Sequence, residues 1–454
     1  MQIAHYNASS SIQQGAALVV LTMIIALIAS AAMIQYFSQA NIRQLKFQKT
    51  QQSLAVAKQA LLAYSTESFD TSKTCGLNCA RPGDLPCPDI NNDGNSEIAC
   101  NTQTSRLGRL PWKTLGIDDI RDGAGERLWY AVSERFKNNI RVLPLNSDTL
   151  GTISLKDAQG NLIFDATNGS GLVAVVIAPN EILTRADNLQ QNRSTNNANN
   201  AQHYLDMVNG EDNVDFAENT VNGFIQGSMS QESVINDTII TLSKAEINRV
   251  MEQRVLTEVM QSLLFNFCPN QVDIKARSCK ASTDYDFFPD PALISDVSCL
   301  GTATIPISAC NSDISVNFGR IPVGGNVDLS ADNKDKNSIL RGEAQNNWFQ
   351  QNGWRELIFY ARAPACQETT KNCDGTGFLT LNGAITPSTS PSNLNKNMVL
   401  ISAGSALATQ NRATNAEKTT FANYIEEENF SPLDDTFARY APNSARNDRV
   451  LSVP

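Results

Sequence analysis

The sequence predicts an α+β protein: one long N-terminal helix, then two tandem, duplicated, disulfide-bonded α+β heads with antiparallel sheets. Three observations predict it. An uncharged apolar stretch runs into a helix-compatible segment, a set of short anchors recurs in the same order, and ten cysteines fall into close pairs.

The helix comes first. Ala16 to Phe37 is a run of 22 residues without a charge, which as a helix would span about 33 Å, the thickness of a bilayer's hydrocarbon core. Asn41 to Tyr64 contains no Gly or Pro, and Ile42, Leu45, Lys49, Leu54, Lys58, Leu61 and Leu62 mark a partly amphipathic continuation. The expectation is a membrane half and a stalk half in one helix over 16–65.

A short leader ending in Gly15, a small residue after it and a long helix resemble a prepilin, the precursor of type IV pilins and type II secretion pseudopilins. Gln14-Gly15-Ala16-Ala17-Leu18-Val19-Val20 is most similar to the large minor pilins and the K-type tip pseudopilin. The resemblance implies a leader over 1–15, cut by a prepilin peptidase between Gly15 and Ala16, with methylation of the new amine. It implies other pilin or pseudopilin subunits as partners, the bacterial inner membrane as the site of the precursor, and the periplasm or cell surface once assembled.

Two departures refine this. Most pilins carry Glu at the fifth mature position, where this chain has Val20. A buried unpaired charge is costly, so a subunit without that carboxylate suits the filament tip better than the repeating shaft. The leader also carries no Lys or Arg, and Arg43 is the first charged side chain, so charge does not orient the helix. Ala29-Ser30-Ala31 is an A-x-A pattern, and a secretory signal cut after Ala31 is the competing reading.

The heads follow. In an exported chain, Cys75, Cys79, Cys87, Cys100, Cys268, Cys279, Cys299, Cys310, Cys366 and Cys373 read as disulfides, with nearest neighbours paired in that order. Sequence alone does not prove the connectivity. One histidine, His203, follows the leader and there is no Cys-x-x-Cys, which argues against zinc.

Duplication rests on seven anchors in unbroken order. The stalk end Ala57–Tyr64 answers Val259–Phe267, and Cys87-Pro88 with Cys100 answers Cys268-Pro269 with Cys279. Gly108-Arg109 answers Gly319-Arg320, and Trp129-Tyr130-Ala131 answers Phe359-Tyr360-Ala361. Val175–Asn180 answers Val399–Gly404. Tyr204-Leu205-Asp206 with Asn209 answers Tyr424-Ile425-Glu426 with Asn429, and Asn236-Asp237 answers Asn447-Asp448.

The division expected is 66–242 and 243–454. Ser243-Lys-Ala-Glu246 is a capping box, and Ile247, Met251, Val255, Val259 and Leu263 form an i, i+4 stripe, so the second head begins with its own helix.

The sharpest chemical motif is Asp89-Ile-Asn91-Asn-Asp93-Gly-Asn95-Ser-Glu97, the first half of an EF-hand-type loop. Alternating oxygens converge on one cation in such loops, and the glycine permits the turn. Asp89, Asn91 and Asp93 would supply side-chain oxygens, Asn95 its carbonyl, and Glu97 a direct or water-mediated ligand to one Ca2+. Cys100 replaces the usual bidentate Glu. An Asx-rich turn without metal is the plainer alternative.

Other function classes find less in the residues. The net charge of −10 argues against broad nucleic-acid binding. No Gly-x-Ser-x-Gly or His-Glu-x-x-His is present, and His203 is matched by Asn423, so the expectation is a non-enzymatic subunit. Trp112, Trp129 and Tyr130 read as core before binding patch. The reading from another class is a surface-anchored exoenzyme or ligand-binding protein that uses the helix as signal or anchor.

Overall fold

The computed structural model describes residues 11–67, 80–138, 141, 144–227, 234–267, 272–273, 278–279, 288–300, 310–322, 348–367, 379–383, 396–426, 429, 435–439, 442–443 and 445–453. Of 11–18, 31–32, 34–40 and a few residues at element ends it describes the backbone alone. The chain is mixed α+β, with antiparallel sheets and two disulfides, Cys87–Cys100 and Cys299–Cys310, among the described residues.

Helix α1 runs over Ser11–Glu67. Every described side chain from 19 to 49 is exposed, and Thr50 is the first to be buried. Beyond it Leu54, Ala57 and Leu61, spaced three and four apart, bury one face completely. Among the described residues, no helix is long and apolar enough to cross a membrane. Gly15 and Ala16, the expected processing junction, have no described side-chain surroundings.

The first sheet joins β1 (Leu107–Arg109), β2 (Trp129–Val132), β3 (Ala174–Ala178) and β4 (Thr238–Leu242) in that spatial order, all antiparallel. The second joins β5 (Phe318–Arg320), β6 (Ile358–Arg362), β7 (Met398–Ser402) and β8 (Arg449–Val453) in the same order. Their registers agree residue by residue. Gly108 faces Tyr130 as Gly319 faces Tyr360, and Ala131 faces Val175 as Ala361 faces Val399.

Between the sheets lies α2 (Lys244–Phe267). Its start has both bonds of the expected capping box, Ser243 N donating to Glu246 Oε2 at 3.0 Å and Glu246 N to Ser243 Oγ at 3.4 Å. Ile247, Met251, Val255, Val259 and Leu263 are all fully buried, each contributing about 1.5–3 kcal/mol of apolar burial. Helix α1 packs on β3 and β4, α2 packs on β7 and β8, and the helices pack on each other. One hydrophobic core therefore runs through both layers.

Two of the expected matches fall elsewhere. Asp89 N donates to Arg109 O at 2.9 Å and Ala292 N to Arg320 O at 2.8 Å, adding one rung outside β1 and one outside β5. The counterpart of Pro88-Asp89 is thus Pro291-Ala292, not a segment beginning at Cys268-Pro269. Likewise Asn213 Nδ2 donates to Asp237 Oδ2 at 2.8 Å as Asn429 Nδ2 donates to Asp448 Oδ2 at 3.3 Å, so Asn213 and not Asn209 matches Asn429. Hydrogen-bond register decides both, and an isolated Cys-Pro or Asn carries no register.

Of the other expected disulfides, Cys366 is disulfide-bonded. Cys75, Cys79, Cys268 and Cys373 lie outside the described residues, as does the side chain of Cys279.

Candidate functional site

The loop 89–97 hangs between the outer rung at Asp89 and the Cys87–Cys100 disulfide. Asn92 and Gly94 take left-handed φ values of 65° and 89°, which turns successive amides inward. Asp89 Oδ1 accepts from Asn92 N at 2.6 Å, and its Oδ2 from Gly94 N at 2.7 Å. Asn91 Oδ1 accepts from Asp93 N at 2.9 Å and Asp93 Oδ1 from Asn95 N at 2.7 Å, two Asx turns in series. Glu97 Oε1 bends back to the amides of Ile90 and Asn91 at 3.2 and 3.4 Å.

Four of the five expected donors, all but the Asn95 carbonyl, thus have side-chain oxygens bonded to the loop's own amides. Burial pushes the Asp89 carboxyl above its ordinary range although three amides oppose it, while the Asn95 amide holds Asp93 below. Lys113 Nζ donates to Asp93 O at 2.5 Å, so one ammonium already touches the loop. Among the described residues, no three His, Cys, Asp or Glu side chains group as metal ligands. The Trp112 ring covers Gly94, where a Cβ would meet it at 2.6 Å.

Of the three aromatics behind the loop, Trp129 and Tyr130 are core, whereas Trp112 is half-buried against Gly94. Trp129 and Tyr130 are buried, the Tyr130 hydroxyl donating to Pro86 O at 3.2 Å. Arg109 lies between the Trp129 and Tyr204 rings, 4.1 and 3.9 Å from their centroids, and burial pushes its guanidinium down to about 10. In the second layer Arg320 lies 5.2 and 5.1 Å from Phe359 and Tyr424. His203 Nδ1 accepts from Asn192 N at 3.1 Å as Asn423 Oδ1 accepts from Asn411 N at 3.1 Å, so both side chains do one structural job.

Sequence reasoning used Asp206, Asp237, Glu426 and Asp448 as alignment anchors and missed what they form. Asp237 Oδ2 accepts from Asp206 N at 2.8 Å, and Asp206 Oδ2 accepts from Asp237 N at 3.1 Å. Both are buried, and desolvation raises both carboxyls, Asp237 well above its ordinary value with Asp206 adding repulsion. Their recurrence as acid-for-acid matches in a chain of otherwise variable loops was the signal available.

No family model matches the chain, and no curated protein or solved structure matches it.

Proposed function

We propose that the chain is a non-enzymatic minor pilin or tip pseudopilin of a type IV pilus or type II secretion system. Its N-terminal helix would be anchored in the inner membrane before assembly and joined to neighbouring subunits afterwards. The observation that carries the reading is α1 itself: Val19 to Met33 present described apolar side chains at 48–70 % exposure, and burial begins only at Thr50. An apolar shell on all sides of a helix needs a bilayer or other helices around it. Val20 in place of a glutamate supports the tip, where no partner amine has to be neutralised.

The matching strand order and registers support two tandem heads, 66–242 and 243–454, built from one duplicated unit. A bulky double head suits a filament end better than a crowded repeat.

Sequencing of the mature N-terminus tests the reading. A methylated Ala16 is the expected result, and a start at Ala32 would sink it. Deletion of the gene is expected to abolish piliation or secretion.

Calcium at Asp89, Asn91, Asp93, Asn95 and Glu97 belongs to the same proposal. The ion would add charge neutralisation to a loop already shaped by its amides. A chelator is expected to lower the thermal midpoint of the folded chain and added Ca2+ to restore it; an unchanged midpoint removes the ion from the proposal.

A further inference from the structure

The two halves differ at the end that lies beside the start of each sheet-packed helix segment. In the first half, the loop after β3 and the loop before β4 are stapled together. Asn180 Nδ2 donates to Asn236 O at 2.7 Å, and Asn236 Nδ2 to Glu181 O at 2.8 Å. Lys46 on α1 reaches the Glu181 side chain at 2.5 Å. Around this staple Ile42, Phe47, Ile182 and Val234 are 40–52 % exposed. Ile42, Arg43, Phe47, Leu183 and Ile235 are among the residues that line an adjoining cavity of about 580 Å3.

The second half supplies the comparison. Asn447 Nδ2 donates to Ser405 O at 2.7 Å as Asn236 does to Glu181 O, and Asn248 on α2 reaches the Ser405 hydroxyl at 2.9 Å as Lys46 reaches Glu181. In that register Lys244, Arg249, Ala406 and Ala445 stand where the first half has Ile42, Phe47, Ile182 and Val234. Ser147 and Asp148 of the first half meet this second end, accepting the Ser405 hydroxyl at 2.8 Å and the Ala406 amide at 2.7 Å. The large apolar tips are therefore confined to one copy, and the shared fold does not require them.

That copy is the one next to the apolar half of α1. The 27 residues from Ala16 to Ile42 carry no charge. As a helix they span about 40 Å, against about 30 Å for a hydrocarbon core and about 40–45 Å with both headgroup layers. Arg43, the first charge, would then stop among the lipid phosphates, since a charge resists entering hydrocarbon. It is exposed and makes no hydrogen bond or ion pair among the described residues. Glu181 meets α1 one turn beyond it, which brings the stapled loops to the same level. The second half starts farther out: Lys58 pairs Glu246 at 2.5 Å, twelve residues beyond Lys46, about 18 Å along the helix.

We propose that this end of the first half rests on the surface of an anionic bilayer before assembly. Ile42, Phe47, Ile182 and Val234 enter the interfacial layer, and Arg43 meets lipid phosphates. Apolar side chains on two loops and a helix, held at one level by the asparagine staple, gain burial together against such a layer. Lys46 stays with Glu181, and the contact does not draw on it. The surface deepens the reading of α1 as a membrane anchor and rests on that reading.

The test uses the full chain in vesicles of phosphatidylcholine and phosphatidylglycerol whose acyl chains are brominated close to the headgroup, which quenches tryptophan fluorescence at that depth. Ile182→Trp and Val234→Trp report on the proposed surface. Ile25→Trp reports on the apolar half of α1 and Val297→Trp on the second half; all four positions are exposed. Quenching at 182 and 234, taken as the difference from the parent chain, is expected to exceed that at 297 at least about twofold and to fall when R43E is added. Quenching at 182 and 234 no stronger than at 297, or indifferent to R43E, overturns the proposal while quenching at 25 leaves the membrane anchor standing. No quenching at 25 would sink the anchor reading and this surface with it. Burial of 182 and 234 that follows protein concentration and not lipid bromination would assign the surface to a neighbouring subunit, and overturns the proposal as well.

Discussion

Glu426 and Asp448 hold each other's backbone: Asp448 Oδ2 accepts the Glu426 amide at 3.1 Å, and Glu426 Oε2 accepts the Asp448 amide at 3.3 Å. Asp206 and Asp237 make the same interlock in the first half. Asp206 and Asp237 are both buried, and two carboxylates that close in one dry site cannot both ionise cheaply, so we expect that pair to share a proton. Burial, then the facing acid, raises Asp237 and Asp448 well above their ordinary value of 3.8.

The sign of the pH effect follows. A native carboxyl raised above its unfolded value binds a proton that the unfolded chain releases. Its stabilisation is complete below the unfolded value and is lost as pH rises through the native one. Thermal midpoints should therefore fall as pH rises above 4, and Asp237→Asn, which mimics the protonated acid, should flatten that slope. A slope equal to the parent's would refute the shared proton.

Arg109 should be less replaceable than Arg320. Its guanidinium stacks at 4.1 and 3.9 Å, and Nη1 and Nη2 donate to Arg127 O at 2.8 Å and Ala198 O at 3.0 Å. Lysine cannot reproduce a planar stacked fork. We expect Arg109→Lys to cost about 1–3 kcal/mol and Arg320→Lys less, its rings being more than 5 Å away. Urea unfolding of the two variants reads the order directly.

Gly123 sits against the backbone of α1, where an added Cβ would lie 2.1 Å from Lys46 O. Backbone cannot swing aside as a side chain can. Gly123→Ala should displace the loop from the helix at Thr50, whose Oγ1 accepts Gly123 N at 2.9 Å, and cost about 1–3 kcal/mol. A denaturation midpoint unchanged from the parent would contradict this close approach.

The contact between the halves should depend on Asn352 more than on Asp148. Asn352 is buried, and its Oδ1 accepts Arg81 Nη1 at 2.7 Å and Leu145 N at 2.9 Å. Asn352→Ala strands donors in a dry contact and should cost about 2–3 kcal/mol. Asp148 pairs with Arg412 at 3.1 Å but keeps 35 % of its side chain exposed, so its ion pair adds under about 1 kcal/mol. Limited proteolysis and unfolding curves of both variants would rank them.

Much of the layout was legible in the residues. The stripe from Ile247 to Leu263, the capping box at Ser243 and the strand motifs at Trp129–Ala131 and Phe359–Ala361 carry local periodicity or caps, which need only near neighbours to act. Those strand motifs lie in matching registers. The cysteine spacing also named the two described pairs, Cys87–Cys100 and Cys299–Cys310. Cys268-Pro269 misled because it borrowed its meaning from a helix end, while the true counterpart of Pro88-Asp89 is set by the rung to Arg320.

By itself the sequence determined α2 with its buried stripe and the central strands of the first sheet, because each follows from side-chain periodicity along a short stretch. Only the tertiary structure decided that Asp206 meets Asp237, that Arg109 is stacked between two rings, and that Asp148 faces Arg412 on the second sheet where Glu126 faces Arg193 on the first. Those relationships join residues far apart in the chain, and burial and hydrogen-bond register exist only once the layers have packed.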